Sequence, residues 1–239
     1  MNASERAGLE SAGDSWESLE RLQLADWRRR VAELYADVRE LAALDPRSAW
    51  EHWRRTRQKL FREHLSSPVR PEERAGFSEK HFDWDPGLRF ELPVLPDAEP
   101  REASKRSVSE RLAGLGAAAL LLPVSTGDAV RFERVGWIEV PLPAGPRRLA
   151  LFWLPEYSGG LFLPFRDATN GTETYGGGRY LLDTAKSADL GGDPERGTVI
   201  VDFNFAYHPS CAFDPKWSCP LSPPENRLDV AIRAGERLR

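Results

Sequence analysis

Between residues 118 and 205 the chain holds six short apolar runs, and no helical pattern separates them. AALLLPVST (118–126) and AVRFERVGWIEVPL (129–142) are joined by Gly127-Asp128, a hairpin-turn signal. RRLALFWL (147–154) follows the turn Pro143-Ala144-Gly145-Pro146, and GLFLPF (160–165), GRYLLD (178–183) and TVIVDFNF (198–205) come next. LDVAIRAG (228–235) reads as a final strand. A parallel pair needs a long crossover, usually a helix, so strands linked only by Gly/Pro/Asp turns predict antiparallel sheet. Each sheet edge carries unpaired N–H and C=O groups, and closure limits that exposure. The expected fold is therefore α+β: an N-terminal helical hairpin followed by an antiparallel β-barrel or β-sandwich.

The helices precede the strands. Leu24, Trp27, Val31, Leu34, Val38 and Leu41 recur at steps of three and four, which puts one apolar stripe on one helix face. Asp14 or Ser15 is the expected cap of this helix. The stripe is expected to pack on its own domain, and the alternative occupant is a second copy, giving a homodimer through the N-terminal helices. Asp45-Pro46 opens a second helix with an N-cap and a proline at the first helical position. Ala49, Trp50, Trp53, Leu60, Phe61 and His64 form its apolar face, RRTRQK (54–59) reads as its solvated face, and Ser66-Ser67-Pro68 stops it. After a short helix near 71–76, Phe77, Phe82 and Trp84 are expected to tuck inward, before a strand from about 88. Two regions follow: 1–68, a helical region packed on the main body, and 69–239, a β-rich domain with a long Pro/Cys connection at 206–227.

A net charge of -4 argues against a protein built to bind nucleic acid. The longest apolar run, LGAAALLLPV (115–124), is too short for a membrane span, and the first twenty residues lack the pattern of a signal peptide. The expected location is cytoplasmic, where Cys211 and Cys219 would be thiols.

Polar residues concentrate in two places. PFRDATNGTETYGGGRYL (164–181) sets Arg166 and Asp167 at a strand end, then Asn170-Gly171, Thr174, Tyr175, three glycines and Arg179. Asn170-Gly171 is turn chemistry. Glycine permits close approach of backbone to another group, yet no Lys-Ser/Thr and no helix follow, so this is neither a P-loop nor a dinucleotide fingerprint. A guanidinium suits a carboxylate or phosphate, and Asp202 and Asn204 share one strand face as the expected partners of Arg166 and Arg179. The second place is AYHPSCAFDPKWSCPLSPPENRL (206–228), a connection long enough to be functional or self-packed. Its cysteines, with His208, fall short of the four ligands of a structural zinc site, so neither metal nor cofactor is expected. Thiols packed as small hydrophobes are favoured over a nucleophile activated by His208.

These strings, with AIRAGE (231–236), resemble the signature of a bacterial and archaeal family catalogued as domain of unknown function 1684. Its pattern runs PFRD-x-T-x-G-x-x-T-Y-x-x-GRYL, then DFN-x-AYNP-x-CAY, then CPLPP-x-N-x-L. The likeness spans the chain from about residue 24. His208 stands at an asparagine of the pattern, Phe213 at a tyrosine and Ser222 at a proline. The resemblance implies that Arg166, Asp167, Thr174, Tyr175, Arg179, Asp202, Asn204, Tyr207, Cys211, Cys219 and Asn226 belong to one shared design. The favoured expectation is a small anionic ligand bound at the barrel mouth, held by Arg166, Asp167, Thr174, Tyr175, Gly177, Arg179, Asp202, Asn204, Tyr207 and Asn226. Two other readings fit the same residues. One is a hydrolase with Asp202 or Asp167 as base. The other is a structural or partner-binding module in which the arginine–aspartate motif is internal bracing.

Overall fold

The computed structural model describes residues 3–96, 119–155, 157 and 159–238. Helix α1 (Ala3–Ala42) begins well before the expected cap at Asp14 or Ser15, and its backbone passes through both without a break. Helix α2 (Pro46–Glu63) starts where the sequence predicts: Asp45 accepts hydrogen bonds from the Arg47 N–H at 3.0 Å and the Ser48 hydroxyl at 2.6 Å. Leu34, Val38, Trp50 and Trp53 bury their side chains between the helices and the segments around Ala188, Leu190 and Phe205. The stripe of α1 thus packs on its own chain from Trp27 onward, Trp27 meeting Phe61 at 5.7 Å. The basic run of α2 is not uniformly solvated, because Arg57 is 7% exposed. Position 57 lies four residues beyond Trp53 and four before Phe61, so helical spacing carries it inward.

Among the described residues ten strands follow: β1 (Lys80–His81), β2 (Arg89–Pro93), β3 (Ala119–Pro123), β4 (Ala129–Leu142), β5 (Gly145–Trp153), β6 (Leu161–Phe165), β7 (Arg179–Asp183), β8 (Gly192–Asp193), β9 (Thr198–Asp202) and β10 (Glu236–Arg237). β3 through β7 form one antiparallel meander in chain order; β2, β9 and β8 form a second sheet, and β1 pairs with β10. The two larger sheets meet at both sides, which curls the meander into a half-barrel. Leu95, just past β2, exchanges two backbone hydrogen bonds of 2.7 Å with Trp137 on β4. Tyr180 on β7 exchanges two more, of 2.9 and 3.1 Å, with Tyr207 beyond β9. Gly136 permits the first junction, since a Cβ there would stand 2.4 Å from the Leu95 carbonyl oxygen. The same place holds the irregularity that breaks the alternation of β4, between Arg134 and Gly136.

Alternation sorts the meander into two faces. Leu149 and Leu151 of β5, with Leu163 and Phe165 of β6, enter the main core. Ala150, Phe152, Phe162 and Tyr180 form an apolar layer on the opposite face. Two expected strands differ. β9 ends at Asp202, where the Asp202 carboxylate accepts the Asn204 N–H at 2.9 Å and turns the chain into a 3₁₀ helix. Residues 228–235 form no strand: Leu228 and Val230 bond the backbone of Arg166 and Ala168, and the backbone groups of Ile232 and Ala234 are taken by side chains of the polar motif, as set out below. Among the described residues no helix is long and apolar enough to cross a membrane.

Candidate functional site

The polar motif folds upon itself. Arg179 is 0% exposed and Asp167 is 4% exposed. The guanidinium of Arg179 donates to the Ile232 carbonyl at 2.8 Å, the Glu236 carbonyl at 3.3 Å, the Ala234 carbonyl, and Asp167 at 3.3 Å. Asp167 also accepts the Ile232 N–H at 2.6 Å and the Thr169 hydroxyl at 2.7 Å. Burial pulls the Arg179 pKa down to about 10, so the side chain keeps its charge at neutral pH. Thr174 is buried against the Thr169 hydroxyl at 2.9 Å. Arg166 is half-buried, and its backbone bonds to Asn226 and Leu228.

Asp202 and Asn204 do not join this cluster. Antiparallel pairing of β9 with β2 sets Asp202 opposite Arg89, and that guanidinium, at 3.2 Å, is its cation in place of Arg166 or Arg179. Asn204 brackets Asp85, accepting its N–H at 2.9 Å and donating to its carbonyl at 2.8 Å. Asn226 mimics a strand residue: it accepts the Ala150 N–H at 2.7 Å and donates to the carbonyls of Ala150 at 2.9 Å and Pro164 at 2.7 Å. Tyr175 donates its N–H to His208 Nε2 at 3.2 Å and sets its hydroxyl 3.7 Å from Cys211 Sγ. Gly177 lies beside the Tyr175 ring.

A cavity of about 270 Å³ lies between the helices and the curled sheet. Its walls come from α1 (Trp27, Val31, Tyr35), α2 (Trp53, Arg57, Phe61), β7 (Tyr180) and the connection 206–219 (Tyr207, His208, Pro209, Cys219). Arg28, Lys186 and Ser218, all exposed, line its outer part. Of the residues expected at a ligand site, Tyr207 lines this cavity; Arg166, Asp167 and Arg179 do not. Tyr180 and Tyr207 meet edge to face at 5.7 Å. Burial pushes the Tyr35 phenol up to about 12 and those of Tyr180 and Tyr207 well above their ordinary value, so all three stay protonated. Lys186 stands 3.4 Å from Asp183, whose charge raises its pKa.

Arg57 forms the polar side of this space. Its guanidinium packs on the rings of Phe61 at 4.3 Å, Trp53 at 5.3 Å and Tyr207 at 5.4 Å. It pairs with Glu79 and, at 3.2 Å, with Glu236. Glu236 in turn accepts the His208 N–H at 2.8 Å. The two carboxylates divide the roles. Burial pushes Glu79 up to about 8. Burial also acts on Glu236, but Arg57 and then His208 outweigh it and hold this carboxyl well below its usual range. The sequence signal for Arg57 was present in its helical spacing. For Glu79 and Glu236 there was none, because each reads as an ordinary charged residue in a polar segment. Among the described residues, no three His, Cys, Asp or Glu side chains converge as metal ligands.

Comparison with known proteins agrees with the motif strings. Residues 80–237 match the family described as "Protein of unknown function (DUF1684)", and the chain belongs to that family. A solution NMR structure of an uncharacterised protein from Haloarcula marismortui is similar at 33% identity and a TM-score of 0.54, covering 83% of this chain and 97% of that one. No curated protein matches.

Proposed function

We propose that this member of the DUF1684 family binds a small aromatic molecule carrying an anionic group, in the cavity between its helices and its curled sheet. The observation that carries this reading is the convergence of three motif strings on one wall. Tyr180 comes from GRYL, Tyr207, His208 and Pro209 from AYHP, and Cys219 from CPLSPP. A volume of about 270 Å³ suits a molecule of one or two rings. Tryptophan and tyrosine rings offer π faces, the protonated phenols of Tyr35 and Tyr207 offer hydrogen-bond donors while that of Tyr180 is held by the Pro220 carbonyl, and Arg28 and Lys186 supply positive charge in the outer part. The Arg179–Asp167 cluster braces the sheet that forms the floor. A base role for Asp167 or Asp202 finds no support in the geometry, because both carboxylates are occupied by internal donors.

The test uses calorimetric titration with naphthalene sulfonate and its neutral counterpart naphthalene methanol. Ser218→Trp places a large side chain on an exposed residue of the outer cavity and should weaken both probes by at least about tenfold, equivalent to ~1.4 kcal/mol. Lys186→Glu should weaken the sulfonate by a similar factor and leave the alcohol nearly unchanged. Equal affinity of the wild type and Ser218→Trp would remove the cavity as the site.

A further inference from the structure

A cleft of about 510 Å³ lies between α2 and the segment around β1, and it shares no lining residue with the aromatic cavity. Two of its lining residues, Glu79 and His81, have side chains only 1% exposed and stand 3.8 Å apart. Arg57 occupies one oxygen of Glu79. The other oxygen, Oε2, and both ring nitrogens of His81 have no hydrogen-bond partner among the described residues. Buried polar atoms are costly to leave unpaired, so three at one place mark a position for a partner from outside the chain. Burial pushes His81 down to about 3 and Glu79 up to about 8, which leaves a neutral imidazole and a protonated carboxyl at neutral pH. Such a pair asks for a molecule whose edge both donates and accepts.

The walls suit a flat ring. Arg54 lies over the Trp50 ring at 4.5 Å, with its Nε also unpartnered, and the half-buried Trp84 meets Trp50 at 5.7 Å. Guanidinium and indole planes take a heterocycle by stacking. Arg47 and Arg55, both exposed, share the carboxylate of Glu51 at 3.4 and 3.9 Å. Residues 47, 51 and 55 recur at steps of four, so one helix row carries two cations and one anion. Exposed pairs of this kind are weak, and a phosphate dianion competes for both guanidiniums. Asp83, exposed at the same cleft, is an acceptor suited to a ribose hydroxyl. We propose that this cleft binds a nucleoside monophosphate, with the base edge at His81 and Glu79, the base face against Arg54 and Trp84, and the phosphate at Arg47 and Arg55. A bare phosphate would leave the buried pair unpaired, and an aromatic hydrocarbon has no edge to pair with it.

The test titrates the full chain calorimetrically with AMP, GMP, CMP and UMP. At least one should bind, and ribose 5-phosphate, which lacks the base, should bind at least about tenfold more weakly. If none of the four binds, the proposal fails and water satisfies the buried pair; equal binding of ribose 5-phosphate overturns it as well. Arg55→Glu reverses an exposed charge. It should weaken the nucleotide by about tenfold or more and leave the matching nucleoside nearly unchanged, and an unaltered nucleotide affinity would overturn the proposal. His81→Phe keeps a flat ring without its nitrogens and should weaken nucleotide and nucleoside alike. The Arg55 result stands whatever the stability of the His81 variant, because position 55 is exposed. Ser218→Trp should bind the nucleotide as wild type does. Loss in Ser218→Trp with retention in Arg55→Glu would put the nucleotide in the aromatic cavity and overturn this assignment. Failure of naphthalene sulfonate to bind would leave the result standing, because the two cavities share no lining residue.

Discussion

Gly176, Gly177 and Gly178 look alike in the sequence and differ in the fold. Gly178 has φ +101°, and a Cβ there would lie 2.6 Å from the backbone oxygen of Phe165. Gly176 has open space around it, with only a Gly171 carbon at 3.9 Å. A Cβ on Gly177 would meet the Tyr175 ring. The glycine that tolerates close approach therefore receives the neighbouring strand β6. Gly178→Ala should destabilise the protein by about 2 kcal/mol or more, and Gly176→Ala should stay within about 0.5 kcal/mol, as measured by urea unfolding. The sequence revealed that this segment needed glycine. It could not reveal which group approaches, because Phe165 and Gly178 are brought together by strand pairing. Arg57 teaches the converse: its inward position was legible at helical spacing, but a run of basic residues on either side obscured it.

At the level of elements, strands whose partners are their chain neighbours were legible almost residue by residue. β4 runs Ala129–Leu142, as its apolar pattern and flanking turns predict. The misread element, 228–235, is apolar enough for a strand, yet side chains occupy part of its backbone: Asp167 takes the Ile232 N–H, and Arg179 takes the carbonyls of Ile232, Ala234 and Glu236. Such substitution of side chain for strand depends on contacts more than fifty residues apart, and no local pattern announces it. Asn226 does the same for β5 and β6, satisfying Ala150 on both its N–H and its carbonyl while also bonding Pro164. Asn226→Ala leaves these buried groups unpaired, at about 1–3 kcal/mol for such a loss, and should cost at least ~3 kcal/mol in chemical denaturation. A loss under 1 kcal/mol would show that water replaces the amide.

Across the whole molecule, α2, the segment before β1 and the strand β10 are tied by ionisable groups with little access to water: Arg57, Glu79 and Glu236, with His81 and His208 beside them. Burial raises Glu79 from 4.5 to about 8, so its contribution is complete below pH 4.5 and is lost as pH rises through about 8. Burial lowers His81 from 6.5 to about 3, so its contribution is complete above pH 6.5 and is lost as pH falls through about 3. Glu236, held below its usual range, adds stability that also disappears on acidification. The melting temperature should peak between about pH 5 and 7, with decline on both sides. In Glu79→Gln the alkaline decline between pH 6.5 and 8 should flatten in a thermal-shift series; an unchanged slope would assign that decline to another group.

The clamp that Arg179 places on residues 232, 234 and 236 also orders events in time. A ribosome delivers Arg179 more than fifty residues before those acceptors. Until they emerge, a buried cation, its aspartate and the floor of the aromatic cavity lack their counterparts. Nascent chains stalled before residue 232 should remain open to protease, and protection should arrive abruptly once 236 has cleared the exit tunnel.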